Sequence, residues 1–106
     1  MPPYRKPPPP YREVWENKPD GRALCALING DRGWLMWLSE PGDTGYSSRN
    51  PAYDGPEEAV IEYILTSGQR DEYPASWALP VEIVERALAH FRETGDRAPF
   101  VEWHAD

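Results

Sequence analysis

Few residues in this chain are of types that carry chemistry by themselves. The histidines are His90 and His104, and the single cysteine is Cys25. A zinc hydrolase needs a spacing such as HExxH, which puts two ligands on one helical face, and neither histidine has a second histidine in reach. His90 sits beside Phe91 but off the apolar stripe of its segment, so it reads as solvated. His104 follows Trp103 close to the end of the sequence, a poor mount for a rigid base. No GxSxG elbow, Walker loop or GxGxxG occurs, and the His-x-Glu with Pro-Cys-x-x-Cys of zinc deaminases is missing. Carboxylates are abundant, and Glu40 with Asp43 and Asp71 with Glu72 form local pairs. General acid–base work needs one of such a pair in a dry setting with a raised pKa. Prolines, glycines and charges surround both pairs, so they read as solvated. No catalytic residue, metal ligand or cofactor is assigned, and an enzyme built on a carboxylate pair is the weaker hypothesis.

The same carboxylates matter collectively. Eleven basic and eighteen acidic residues leave a formal charge of −7. Nucleic-acid binding needs clustered Lys and Arg against phosphates, so no direct nucleic-acid partner is expected. Acidity suits a basic partner, or simply solubility. Five tryptophans, six tyrosines and two phenylalanines exceed what one small core requires, which favours a binding role. A lone Cys25 between Leu24 and Ala26 makes no intrachain disulfide and reads as a small packed hydrophobe. No apolar run has the length of a membrane helix and no signal-peptide pattern opens the sequence. A cytoplasmic protein without a membrane partner is the expectation.

With 106 residues the chain is sized for one domain. MPPYRKPPPPYR favours an extended polyproline helix, either a stiff tail or a ligand for an SH3-type groove. EVWE is a short strand or lead-in, and NKPDG a turn. ALCALI and GWLMWLS, joined through NGDRG, carry a strong hairpin signal. In the second of these strands Trp34, Met36 and Leu38 share one face while Leu35 and Trp37 share the other. A strand apolar on both sides belongs mid-sheet or beneath a partner. The segment EPGDTGYSSRNPAYDGP is long for a connection, and long loops tend to be functional; Ser47 and Ser48 read as hydrogen-bonding surface within it. Residues 57–66 are ambiguous, with Pro56-Glu57-Glu58 resembling a helix start. The β-branched VIEYI and the TSGQ turn tip the balance to strand, turn, strand. From Pro80, the stripe Val81, Val84, Ala87, Leu88 and Phe91 with Gly95 as C-cap predicts a helix over about 80–94. FVEW, Phe100 to Trp103, reads as a closing strand. The fold class is therefore α+β, a small antiparallel sheet with one C-terminal helix on one face, plus the proline-rich N-terminal tail.

Several of these segments together resemble a known family: the GDRGWLMWLS strand, GYSSRNP, SGQRDEYPASWALPVEIVERALAHF and the closing ETGDRAPFVEW. They are similar to the immunity protein family numbered one of bacterial polymorphic toxin systems, over about Arg22 to Trp103. The resemblance implies a non-catalytic domain over residues 13–106, with 1–12 as the tail. It also implies a cognate protein toxin as partner, a zinc-dependent deaminase, bound and neutralised in the producing cell. Against the family's pattern, the N-terminal part has prolines where a helix is expected. A deaminase acting on nucleic acid carries a basic groove and a pocket for an extruded base. An acidic inhibitor places carboxylates where phosphates would lie and aromatics where bases would stack. Residue types suited to such contact fall in two stretches: Asp43, Tyr46, Arg49, Asn50, Tyr53 and Asp54, then Asp71, Glu72, Tyr73 and Trp77. For Trp37 and Trp77 packing is the stronger expectation. The alternative is an adaptor whose proline-rich tail engages an SH3-type groove.

Overall fold

A computed structural model describes residues 10–106. Eight strands and one α-helix follow in the order β1 (Tyr11–Asn17), β2 (Ala23–Asn29), β3 (Arg32–Leu38), β4 (Tyr46–Arg49), β5 (Val60–Ile64), β6 (Arg70–Pro74), a 3-10 turn (Ala75–Trp77), β7 (Leu79–Pro80), α1 (Val81–Thr94) and β8 (Glu102–Ala105). The proline-rich tail expected over 1–12 lies largely outside the described residues, and β1 begins at Tyr11.

The main sheet is antiparallel, in the order β1-β2-β3-β4-β8. Its nucleus is the expected β2–β3 hairpin, with Asn29 opposite Arg32 across Gly30-Asp31. Gly30 has φ +63°, the left-handed conformation that a tight two-residue loop demands. The Asp31 carbonyl accepts the first helical amide, Val81 N, at 2.8 Å, so this turn also sets where α1 starts.

Strand β3 is central, and its two faces meet two different layers. Leu35 faces α1, joining Leu24, Ala26 and Ile28 against Val84, Ala87, Leu88 and Phe91. Gly33 permits that contact: a Cβ there would stand 2.9 Å from Val84 Cγ2. Trp34 and Met36 face the opposite side, where a separate two-stranded sheet, β5–β6, closes over them with Tyr63 buried in the middle. The strand–turn–strand reading of 57–73 holds, and it supplies the second cover that a doubly apolar β3 requires. Leu65 N donates to the Gln69 carbonyl around a three-residue loop, with Gly68 at φ +88°, a common bulged hairpin closure.

The helix spans Val81–Thr94 with Pro80 and Gly95 as its caps. Gly95 is left-handed, and its amide reaches the Phe91 carbonyl at 2.7 Å. The β1–β2 turn adds cations at this end, where the helix dipole is negative: Lys18 Nζ donates to the Arg92 carbonyl and Arg22 Nη1 to that of Thr94. The closing strand runs Glu102–Ala105, two residues later than FVEW places it, because Val101 is held in a turn by the Ala98 carbonyl.

One expectation is corrected. The stretch from Asp43 to Asp54 is not one loop, because its centre is β4, an internal strand between β3 and β8. Ser47 and Ser48 are buried within it rather than on the surface. Two small hydroxylated residues suit a strand that must fit beneath neighbours, and the flanking glycines hid that from a composition-based reading. Ser48 also completes the sheet: β4 pairs with the far part of β3 and β7 with its start. In the gap between them, Ser48 Oγ accepts from Leu35 N at 3.1 Å and donates to the Trp77 carbonyl at 2.9 Å.

Candidate functional site

Alternation along β4 sends Tyr46 and Arg49 to opposite faces, which divides the sequence-derived candidates into groups. Asp43 belongs to the turn before β4. Its Oδ2 accepts from the Ser39 amide at 3.0 Å and the Ser39 hydroxyl at 2.8 Å, and these bonds hold its carboxyl below the usual carboxylate range. Tyr46 lies opposite Trp37 on the helix side, with the Arg97 guanidinium 3.8 Å over its ring. Both stand at the far end of β4 from the other candidates.

The second group is assembled in space. Tyr73 of β6 stacks on buried Trp34, with centroids 4.3 Å apart and planes 9° apart, and Trp77 lies 6.1 Å beyond it. The Arg49 guanidinium covers Trp77 at 3.8 Å and ends the series at the surface. Cation and ring fix each other's orientation in such a contact. Arg49 Nη1 also donates to Ser47 Oγ at 2.9 Å and to the Ser48 carbonyl at 2.8 Å, with Asp106 3.9 Å from Nη2. Asn50 Nδ2 donates to the Ala78 carbonyl, its Oδ1 accepts from Ala52 N, and its own amide donates to Ser76. These four residues tie β4, β6 and the 3-10 turn into one unit.

The loop after Asn50 is fastened through Tyr53, whose hydroxyl donates to the Pro56 carbonyl at 2.6 Å. Gly55 passes directly over that phenol, where a Cβ would come within 2.6 Å of the hydroxyl. Asp54 is exposed. On the hairpin, Asp71 accepts from Gln69 Nε2 at 2.7 Å, and Glu72 is exposed with no hydrogen-bond or ion-pair partner among the described residues.

The electrostatics are uneven. Residues 50–76 hold Asp54, Glu57, Glu58, Glu62, Asp71 and Glu72 against Arg70 alone. Elsewhere five acids are ion-paired, Glu85 with Arg12, Glu16 with Arg92, Asp20 and Asp96 with Arg22, and Asp106 with Arg49, and the acids are nearly matched in number by bases. Most of the net charge therefore sits on the hairpin and the loop leading to it, the hairpin lying on the side of the sheet away from α1. Sequence reasoning picked Asp71 and Glu72 but missed Glu57, Glu58 and Glu62. The register of the hairpin would have found Glu62, because closing the loop at Ser67-Gly68 sets it opposite Glu72.

Other features have plainer roles. Cys25 is buried, and burial, with Glu13 adding to it, pushes its thiol up to about 12, so it packs rather than reacts. An open cleft of about 790 Å³ lies where β4 ends and α1 begins, between Arg32, Leu79, Ile83 and Phe100. Among the described residues no group of His, Cys, Asp and Glu is arranged to hold a metal ion, and no helix is long and apolar enough to cross a membrane.

Fold and surface together define a small antiparallel α+β domain: a helix, a sheet and a hairpin in three layers, with polar side chains bracing the architecture and surplus acid facing outward. Residues 5–105 match the family model described as immunity protein Imm1, and the chain belongs to that family. An immunity protein implies a cognate toxin as its partner. No curated protein matches the chain.

Proposed function

We propose that this immunity protein binds a cognate toxin that deaminates nucleic-acid bases, and neutralises it in the cytoplasm of the producing cell by covering the toxin's basic substrate groove or active site. The observation that carries the reading is the acidic layer of residues 50–76, six carboxylates against one arginine on a rigid support. A deaminase must hold phosphates with Lys and Arg beside the pocket that receives the base. An acidic surface of similar extent competes for those cations and is steered to them over long range. Asp54, Asp71 and Glu72 supply charge to the contact, and Tyr53 and Trp77 supply aromatic area. Arg49, Asn50 and Tyr73 keep those side chains in place, while Asp43, in the turn before β4, and Tyr46, on the helix face, form a separate contact region at the far end of β4. A specific complex of this kind buries on the order of 1,600 Å².

The test uses the cognate toxin domain. Mixing the two at equal concentration is expected to give a one-to-one complex and to abolish deamination of single-stranded substrate. A complex whose association rate does not change between low and high salt would argue against the acidic layer as the contact surface.

A further inference from the structure

No strand or helix among the described residues covers the outer face of the β5–β6 hairpin, although Tyr11 of β1 reaches round to Glu62, and Glu62, Ile64 and Pro74 are half-buried. Ile61, Tyr63 and Tyr73 point inward, so alternation turns Val60, Glu62, Ile64, Arg70, Glu72 and Pro74 outward. Two features of this face work against the free protein. Val60, opposite Pro74, is 54% exposed, one of the few large apolar side chains left in water. Glu62 and Glu72 stand directly opposite each other, an arrangement that disfavours strand pairing. Glu62 is partly compensated, accepting the Tyr11 hydroxyl at 2.9 Å and facing Arg70 Nε at 3.1 Å. Glu72 has no such compensation.

From this geometry we infer that the hairpin's outer face is the docking surface for a basic segment of the toxin, with one arginine seated between Glu62 and Glu72 and an apolar neighbour resting on Val60 and Pro74. The inference rests on the reading of the chain as an inhibitor of a basic toxin surface, and it locates the charged centre of that contact. Charge complementarity selects a cation, and two carboxylates on adjacent strands suit the forked donors of a guanidinium better than the point charge of a lysine. The exposed Val60 selects a protein surface over a solvated ion, since a free cation gains nothing from an apolar rim.

The experiment measures melting temperature and toxin affinity on the same variants. Glu72→Gln removes the like-charge opposition, so the free protein is expected to melt about 2–4 °C higher. Affinity for the cognate toxin domain is expected to fall about tenfold. Val60→Ser is expected to weaken binding with little change in melting. Glu93→Gln, the same charge change on the exposed face of α1, serves as control and leaves affinity within about twofold. A lower melting temperature for Glu72→Gln would make Glu72 a structural residue and overturn the inference. Unchanged affinity in Glu72→Gln and Val60→Ser, with wild type still bound and inhibitory, would overturn it while leaving the inhibitor reading intact. Failure of the wild-type chain to bind would remove that reading and the docking surface with it.

Discussion

Replacing Ser48 with alanine probes the joint on which the aromatic stack depends. The side chain is fully buried, and its hydroxyl bridges the Leu35 amide, at 3.1 Å, and the Trp77 carbonyl, at 2.9 Å. Ser48→Ala leaves the Leu35 N–H buried without a partner, at about 1–3 kcal/mol, and removes a second bond worth about 1 kcal/mol. The sum is about 2–4 kcal/mol. For a domain of this size each kcal/mol lowers the melting temperature by about 4–8 °C, so a fall of roughly 8–32 °C is expected. Ser47→Ala is the internal comparison. That hydroxyl joins the side chains of Arg49 and Asp106 at the sheet edge, and its loss is expected to cost about 1 kcal/mol. Thermal unfolding followed by circular dichroism measures both, and hydrogen exchange at the Leu35 amide reports the broken bridge directly. A Ser48→Ala melting point within about 2 °C of wild type, with Leu35 still protected, would refute the bridging role.

Two further outcomes test the architecture. Gly33→Ala puts a methyl 2.9 Å from Val84 Cγ2 and 3.2 Å from Ile28 Cγ1, and this overpacking is expected to cost about 1–3 kcal/mol in urea unfolding. Acid should also destabilise the protein in a defined window. Asp43 and Asp20 are held below the usual carboxylate range chiefly by hydrogen bonds from the Ser39 and Arg22 amides. Glu13 also lies below that range: partial burial opposes its charge, but the bonds from Thr66 and Trp15 outweigh it. A depressed folded-state pKa contributes stability above the unfolded value, near pH 4, that is lost as pH falls through the folded value. Melting temperature should therefore drop below about pH 4, and Asp43→Asn, which keeps an acceptor oxygen, should flatten that drop.

Much of the fold was legible because hydrophobic period and turn chemistry agree locally. The β2–β3 hairpin, the helix with its Gly95 cap and the β5–β6 pair each follow from residues adjacent in sequence. What escaped was set by distant partners. Tyr46–Arg49 has too little apolar character to announce a strand, and it becomes one because β3 and β8 supply edges on both sides. Of the candidate residues, the types were legible in sequence but not how they are held. Arg49, Asn50, Tyr73 and Trp77 do converge, yet their polar atoms and ring faces are engaged with one another and with the backbone. The facing pair Glu62 and Glu72 emerges only once the hairpin register is fixed, and that Glu72 has no partner among the described residues needs coordinates.

The central claim is that the acidic hairpin layer binds and blocks a toxin. It is tested most directly by titrating this chain into its cognate toxin domain while deamination of single-stranded DNA and RNA is followed. Wild type is expected to stop the reaction at one equivalent. A variant with Asp54, Glu57, Glu58 and Glu72 changed to Asn or Gln should need at least tenfold more protein while remaining folded. Full inhibition by that neutralised variant at one equivalent, or deamination undisturbed by the wild type, would contradict the account.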